Sequence, residues 1–191
     1  LAARGDPARC EFGSFNNLSK ISVETIALWA RLLRETPGAR LLLKNHSFSA
    51  PTARARVEGL FAAHGVTSDR LVLLGRLGAH EHLALHDRVA VGLDPFPYHG
   101  TITTLEALWM GVPVVSLAGD RHASRVGASL LEAAGLRALV ATTPDEYVAL
   151  ARSLLRDEDA LLELKRGLRD RVLASSLCDG DSLARAVEDA Y

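Results

Sequence analysis

Residues 96–115, FPYHGTITTLEALWMGVPVV, place three hydroxyls, Thr101, Thr103 and Thr104, where a turn-rich stretch runs into an apolar helical pattern. A helix start leaves backbone N–H groups unpaired and carries partial positive charge. Phosphate binds there readily, and threonine hydroxyls add donors without blocking access. Gly100, one residue ahead, lets the backbone approach a ligand closely. A ligand-free explanation fits the same residues: Thr103 and Glu106 have the T-x-x-E spacing of a capping box. The sequence leaves both open. The same spacing at Thr143 and Glu146, with Pro144 at the first helical position, is read as a cap alone.

A second candidate is Lys20. Basic residues are nearly all arginine, and the lysines are Lys20, Lys44 and Lys165. Lysine supplies a compact point charge where arginine supplies a planar fork. Lys20 stands one turn after Asn16-Asn17, where its ammonium would either neutralise a diphosphate leaving group or lie in solvent. His80, His82 and His86 are close in sequence, and His82 and His86 share a helix face. No cysteine or carboxylate completes a ligand spacing around them, so no metal site is expected. Residues 118–131, AGDRHASRVGASLL, open another helix with His122 and Arg125 among small residues. That segment either meets a phosphate or sugar or is a capped helix with a small packing face. The chain has no Walker A sequence, no G-x-S-x-G and no G-x-G-x-x-G after a strand. This argues against P-loop NTPases, α/β-hydrolases and ordinary dinucleotide dehydrogenases.

The elements that must position these residues follow from the hydrophobic pattern. Strands are predicted at 11–16, 39–44, 70–75, 88–93, 112–117 and 137–141. Helices are predicted at 22–35, 51–65, 79–86, 102–110, 122–134, 144–155, 159–174 and 180–190. Strands that are continuously apolar and alternate with amphipathic helices imply an α/β fold, a doubly wound parallel sheet covered on both faces. No repeat or linker interrupts residues 1–191, which read as one domain. In such sheets ligands bind beyond the carboxyl ends of the strands, where strand order reverses. With a Rossmann-like order, strands one and four meet there. The loops leaving them, 16–21 and 94–104, are the most polar in the chain.

Composition narrows the class. Hydrophobic residues make up 48% and charged residues 24%, enough for a substantial core. A formal net charge of -1 argues against a surface driven by bulk charge toward nucleic acid or an anionic membrane. No apolar run has the length of a membrane span. The opening Leu1-Ala2-Ala3-Arg4 has neither an initiator Met nor a signal-peptide core, so a piece of a longer chain is expected. Cys10 and Cys178 are far apart and suit reduced thiols in the cytoplasm.

Three stretches resemble a known family. FGSFNNLSKIS (12–22), LDPFPYHGTITTLEALWMGVPVVSLAGDRHASRVGASLL (93–131) and GLRALVATTPDEYVALA (135–151) resemble the carboxyl-terminal catalytic lobe of protein O-GlcNAc transferases, closest to the SPINDLY-like branch. The resemblance implies one Rossmann-like lobe of a two-lobed GT-B fold that binds a nucleotide sugar. It implies an enzyme that moves a sugar to protein Ser or Thr hydroxyls with inversion and needs no cofactor or metal. UDP-GlcNAc is the first choice of donor, and the branch also includes GDP-fucose users. The family's other catalytic lobe, with its proposed active-site His, and its tetratricopeptide repeats are absent from these residues.

By resemblance, Lys20 is the catalytic lysine on the donor diphosphate, and Asn17 occupies a polar position beside it that is commonly Gln in the animal enzymes. His82 matches a His near the nucleoside. Gly100, Thr101, Ile102, Thr103 and Thr104 match the phosphate-binding helix start, often His-Thr-Thr in the family, with Thr here for the His and Ile for one Thr. Glu106 matches an acidic position that holds the ribose hydroxyls. His122 and Arg125 complete the expected nucleotide-sugar-binding set. Two rivals remain at this level: a sugar-nucleotide epimerase of the same fold, and a non-enzymatic nucleotide- or partner-binding module.

Overall fold

The computed structural model describes Asp6 and residues 9–191; the opening Leu1-Ala2-Ala3-Arg4 lies outside them. Six strands, β1 (Cys10–Ser14), β2 (Leu41–Lys44), β3 (Leu71–Leu74), β4 (Val89–Leu93), β5 (Val114–Leu117) and β6 (Val140–Ala141), form one sheet in the order β3-β2-β1-β4-β5-β6. Every neighbouring pair is parallel. The helices are α1 (Val23–Arg34), α2 (Pro51–Ala62), α3 (Ala79–Ala84), α4 (Ile102–Trp109), α5 (Val126–Ala133), α6 (Pro144–Ser153), α7 (Glu158–Leu173) and α8 (Gly180–Asp189).

The expected doubly wound sheet is therefore present, with β1 and β4 adjacent at the reversal. Most differences are at element ends, but the strand expected at 137–141 is a 3-10 turn over Arg137–Leu139 with only Val140–Ala141 in the sheet. The helix expected at 122–134 is a 3-10 turn, His122–Ser124, followed by α5. The break falls at Arg125, just after Ser124, whose hydroxyl donates to the Arg121 carbonyl and accepts from the Arg121 N–H. Likewise, α3 ends at Ala84 and a 3-10 turn, Leu85–Arg88, carries His86.

Side chains alternate across each strand, so the sheet feeds two cores. Leu41 and Leu43 face one with Phe12, Trp29, Phe61 and Tyr147; Leu42 faces the other with Val114, Leu108, Leu131 and Leu168. The first core also holds a polar tether. Trp29 Nε1 donates to the Tyr147 hydroxyl (3.0 Å), which donates to the Asp94 carbonyl (3.2 Å) at the end of β4. On the opposite face α7 closes the end of α4, with Arg169 Nε donating to the Trp109 carbonyl (3.0 Å). These contacts fix both ends of the segment 94–109 that carries the polar loop. Among the described residues, no helix is long and apolar enough to cross a membrane, and Cys10 and Cys178 are free thiols.

Candidate functional site

The site begins where β1 and β4 diverge. Asn17 accepts from the Ser19 N–H (3.1 Å) and so turns Leu18–Lys20 into a single 3-10 turn. The turn delivers Lys20 to the loop after β4. Its Nζ donates to the His99 carbonyl at 2.8 Å and lies 4.2 Å from the centroid of the Tyr98 ring. Ile21 bridges to Pro97 beside it. The two loops singled out by polarity are thus in direct contact.

Helix α4 starts at Ile102, and Thr101 in the cap position makes no side-chain cap bond. Its first turn contains no acidic residue. The Thr103–Glu106 capping box does not form, because Thr103 is already inside the helix rather than at its cap. Thr103 Oγ1 donates instead to Asn16 Oδ1 (2.8 Å), and Glu106 pairs with His82 Nε2 (3.2 Å). At the other T-x-x-E, Thr143 does accept from the Glu146 N–H (3.1 Å), while the Glu146 carboxylate accepts from the N–H and hydroxyl of Thr142. The start of α4 is accordingly left with the positive end of its dipole open. Gly100 is required by close packing: a Cβ there would lie 2.4 Å from Thr103 Oγ1 and 2.7 Å from Asn16 Oδ1.

Beneath the loop lies a buried polar cluster that sequence reasoning missed. Asp94 accepts from the Gly100 N–H (2.7 Å) with Oδ1 and from the Ser116 hydroxyl (2.7 Å) with Oδ2. His99 Nε2 stands 3.0 Å from the Leu117 carbonyl, which can only accept, so the proton is assigned to Nε2. Its Nδ1 then accepts from the Gly127 N–H (3.0 Å). Burial pushes Asp94 up to about 7 and His99 down to about 4. The 3.5 Å approach of His99 to Asp94 is therefore no ion pair at neutral pH, since the imidazole is uncharged. Above the cluster, the Phe96 carbonyl accepts from Ser22 Oγ and Thr25 Oγ1 (2.8 and 2.5 Å), and the His99 N–H donates to the Ala123 carbonyl (3.0 Å). Polar residues ending or interrupting apolar runs, Asp94 after β4 and Ser116 within β5, were the available sequence signal.

Two flanks complete the arrangement. On one, the His82 and His86 rings pack with Phe15, at 5.5 and 4.6 Å between centroids. His86 donates from Nδ1 to the Leu83 carbonyl (3.1 Å), and burial lowers its pKa. His80 is exposed. Among the described residues, no three His, Cys, Asp or Glu side chains assemble as a metal-ligand group. On the other flank, Thr101, His122, Arg125, Ser129 and Glu132 line a cleft of about 580 Å³ along α5, beside the residue that precedes α4. Arg125 reaches the Gly119 carbonyl (3.1 Å).

The structure thus groups Lys20, Gly100, Thr101 and Thr103, sets His82 with Glu106 along α4, and sets His122 and Arg125 beside Thr101. Asn17 is exposed and spends its side-chain oxygen on the turn that carries Lys20. Thr104 is buried at 2% exposure and lines a cavity of about 30 Å³ with Ser14, Asn16, Thr103 and His86; its Oγ1, like that of Thr103, lies against Gly100, 2.8 Å from where a Cβ there would stand.

A parallel sheet reversing between β1 and β4, with a lysine and an open helix start meeting at the reversal, defines a doubly wound, Rossmann-like lobe, and its match to an O-GlcNAc transferase structure makes it the lobe of a GT-B glycosyltransferase. Solved structures agree. The chain superposes on a mutant of the Thermobaculum terrenum O-GlcNAc transferase with a TM-score of 0.90 and 40% identity, over 100% of this chain and 36% of that one. Against the Anabaena protein HepE, solved with UDP and glucose, the TM-score is 0.66 at 12% identity, over 98% of this chain and 53% of that one, which shows the fold alone. The chain belongs to glycosyl transferase family 41, whose model matches residues 7–187.

Curated relatives include the Hordeum vulgare protein named "Probable UDP-N-acetylglucosamine--peptide N-acetylglucosaminyltransferase SPINDLY", 44% identical over 94% of this chain and 19% of its own length. The Arabidopsis thaliana protein of the same name is also 44% identical, over 94% of this chain and 20% of its own length. A Caenorhabditis elegans UDP-N-acetylglucosamine--peptide N-acetylglucosaminyltransferase is 29% identical over 93% of this chain and 15% of its own length. The chain spans about a fifth of the length of the two SPINDLY relatives.

Proposed function

We propose that this chain is the donor-binding lobe of an inverting protein O-glycosyltransferase that moves N-acetylglucosamine from UDP-GlcNAc to Ser or Thr hydroxyls of a protein. The observation that carries the reading is Lys20 docked on the 94–101 loop beside the open start of α4. The names of the family relatives support the sugar and the acceptor class.

In this mechanism the acceptor oxygen attacks the anomeric carbon and the bond from that carbon to the diphosphate breaks. The electron pair leaves on the β-phosphate, and the acceptor proton passes to a base outside this chain. Lys20 and the N–H groups opening α4 stabilise the charge that develops on the leaving group. Thr101 and Thr103 add hydroxyls there, Gly100 permits the close packing, and Asn17 supports the Lys20 turn. Glu106 accepts from the ribose hydroxyls, with His82 against the nucleoside. His122 and Arg125 line the cleft next to Thr101 and meet the sugar side of the donor. Thr104, buried with its hydroxyl against Gly100, packs the helix start from within.

No metal or other cofactor is needed in this scheme, because Lys20 and the helix dipole supply the positive charge. A second lobe provides the acceptor side, and tetratricopeptide repeats select the acceptor protein. Neither nucleic acid nor membrane is a partner. Two free cysteines suit a cytoplasmic setting.

The test is transfer by the full-length protein to a Ser/Thr peptide, with UDP-GlcNAc and GDP-fucose offered separately to wild type and Lys20→Ala. Peptide carrying GlcNAc with inverted anomeric configuration, lost in the mutant, is the expected result. Transfer of fucose alone would reassign the donor. Isomerised donor without any transfer would make the protein an epimerase, and nucleotide binding without either reaction would make it a binding module.

A further inference from the structure

We propose that Tyr98 is a positioning residue for Lys20: its ring and the backbone carbonyl of His99 form a two-point berth that holds the ammonium ready for a diphosphate. The inference rests on the role given to Lys20 above and deepens it. A lysine side chain is long and gives up much rotamer freedom when fixed, so an unheld ammonium meets that cost as the anion arrives. Here the cost is met beforehand. One N–H of Lys20 is satisfied by the His99 carbonyl at 2.8 Å, and the charge faces the Tyr98 ring at 4.2 Å. Two N–H groups remain for a ligand.

The chemistry of the berth suits an anion site. A carboxylate would neutralise the ammonium and compete with phosphate. A carbonyl and an aromatic face orient the charge without cancelling it. Among the described residues, no carboxylate forms an ion pair with Lys20. The backbone on both sides of Tyr98 is immobilised: Pro97 bridges Ile21, the His99 N–H donates to Ala123, and the His99 ring is held by Leu117 and Gly127. Tyr98 itself is 54% exposed and belongs to neither hydrophobic core. Its ring is therefore free of any packing duty that would make substitution unfold the chain.

The experiment is calorimetry of UDP binding to the full-length protein in wild type, Tyr98→Leu, Tyr98→Phe, Lys20→Ala and the Lys20→Ala/Tyr98→Leu double variant. Tyr98→Leu is expected to weaken UDP binding about two- to fivefold, the equivalent of one partly exposed cation–π contact. Tyr98→Phe keeps the ring and restores what Leu loses. Tyr98→Leu is expected to cost nothing further once Lys20 is Ala. An equal loss in both backgrounds would overturn the proposal by showing that the ring acts on the ligand directly. Tighter UDP binding by Tyr98→Leu would overturn it by showing that the ring holds Lys20 back. Unchanged binding in Lys20→Ala alone would place the failure in the role of Lys20 itself, and the berth would fall with it.

Discussion

Replacing Gly127 with alanine tests the buried cluster that fixes the loop. An ideal Cβ at 127 would lie 2.2 Å from Asp94 Oδ2, 2.2 Å from Ser116 Oγ and 3.0 Å from His99 Nδ1. Favourable non-bonded contacts between carbon atoms lie at roughly 3.5–4.0 Å, so the first two approaches are short by more than about 1 Å. Asp94 and Ser116 are short side chains on the end of β4 and on β5, with no flexible stem to swing aside. Helix α5 must lift, and lifting it stretches the bond from the Gly127 N–H to His99. Overpacking of this kind costs about 1–3 kcal/mol. A buried group left unpaired adds about 1–3 kcal/mol. Together they give about 2–6 kcal/mol, which at about 2–4 °C per kcal/mol for a chain of this size lowers the melting temperature by about 4–24 °C. Differential scanning calorimetry reads this directly. Gly59→Ala serves as the control, because a Cβ there meets nothing within 4 Å and the position is helical. That change is expected to stabilise by about 0.5–1 kcal/mol. A Gly127→Ala melting temperature equal to wild type would refute the close-packed cluster.

The cluster also has a pH signature. Asp94, raised to about 7 in the fold from 3.8, contributes stability that is full below pH 3.8 and is lost as pH rises to about 7. His99, lowered to about 4 from 6.5, contributes stability that is full above pH 6.5 and is lost as pH falls to about 4. Between about pH 4 and 6.5 the two slopes oppose and cancel. Asp94→Asn removes one of them, so its unfolding free energy in urea should rise more steeply over that window than wild type's; parallel curves would refute the pairing. At Glu106, the Gln variant is expected to lose about 1–2 kcal/mol in UDP binding, as for a hydrogen bond to a charged group, with little change in melting temperature. Calorimetry with ribose and 2′-deoxyribose nucleotides checks it, and equal discrimination by both proteins would leave Glu106 as a partner of His82 only.

The sheet was legible because burial on both faces leaves a plain trace in sequence. Leu41–Leu43 and Val89–Leu93 are apolar without alternation, and each became a central strand within a few residues of its expected place. The reversal at β1 and β4 then located the two loops, and with them Lys20. Local spacing failed where tertiary partners outbid it. Thr103 and Glu106 have the spacing of a cap, yet Asn16, 87 residues away, and His82 claim their side chains. The Asp94, His99, Ser116 and Gly127 cluster was invisible for a related reason. Its members come from the end of β4, the following loop, β5 and α5, and no local period relates them. The sequence shows a polar residue within or just after an apolar run, but only the folded sheet shows what satisfies it. Tyr98 was hidden in the same way, since its partner Lys20 is distant in sequence.

The most direct measurement is a crystal structure of the protein soaked with UDP. The expected result is a β-phosphate oxygen within hydrogen-bonding distance, about 2.7–3.2 Å, of Lys20 Nζ and of the backbone N–H groups that open α4, with the ribose against Glu106. A diphosphate seated instead in the separate cleft lined by Asn17, His46 and Arg56, or UDP bound with neither phosphate within reach of Lys20, would contradict the assignment of the β1–β4 reversal as the donor site.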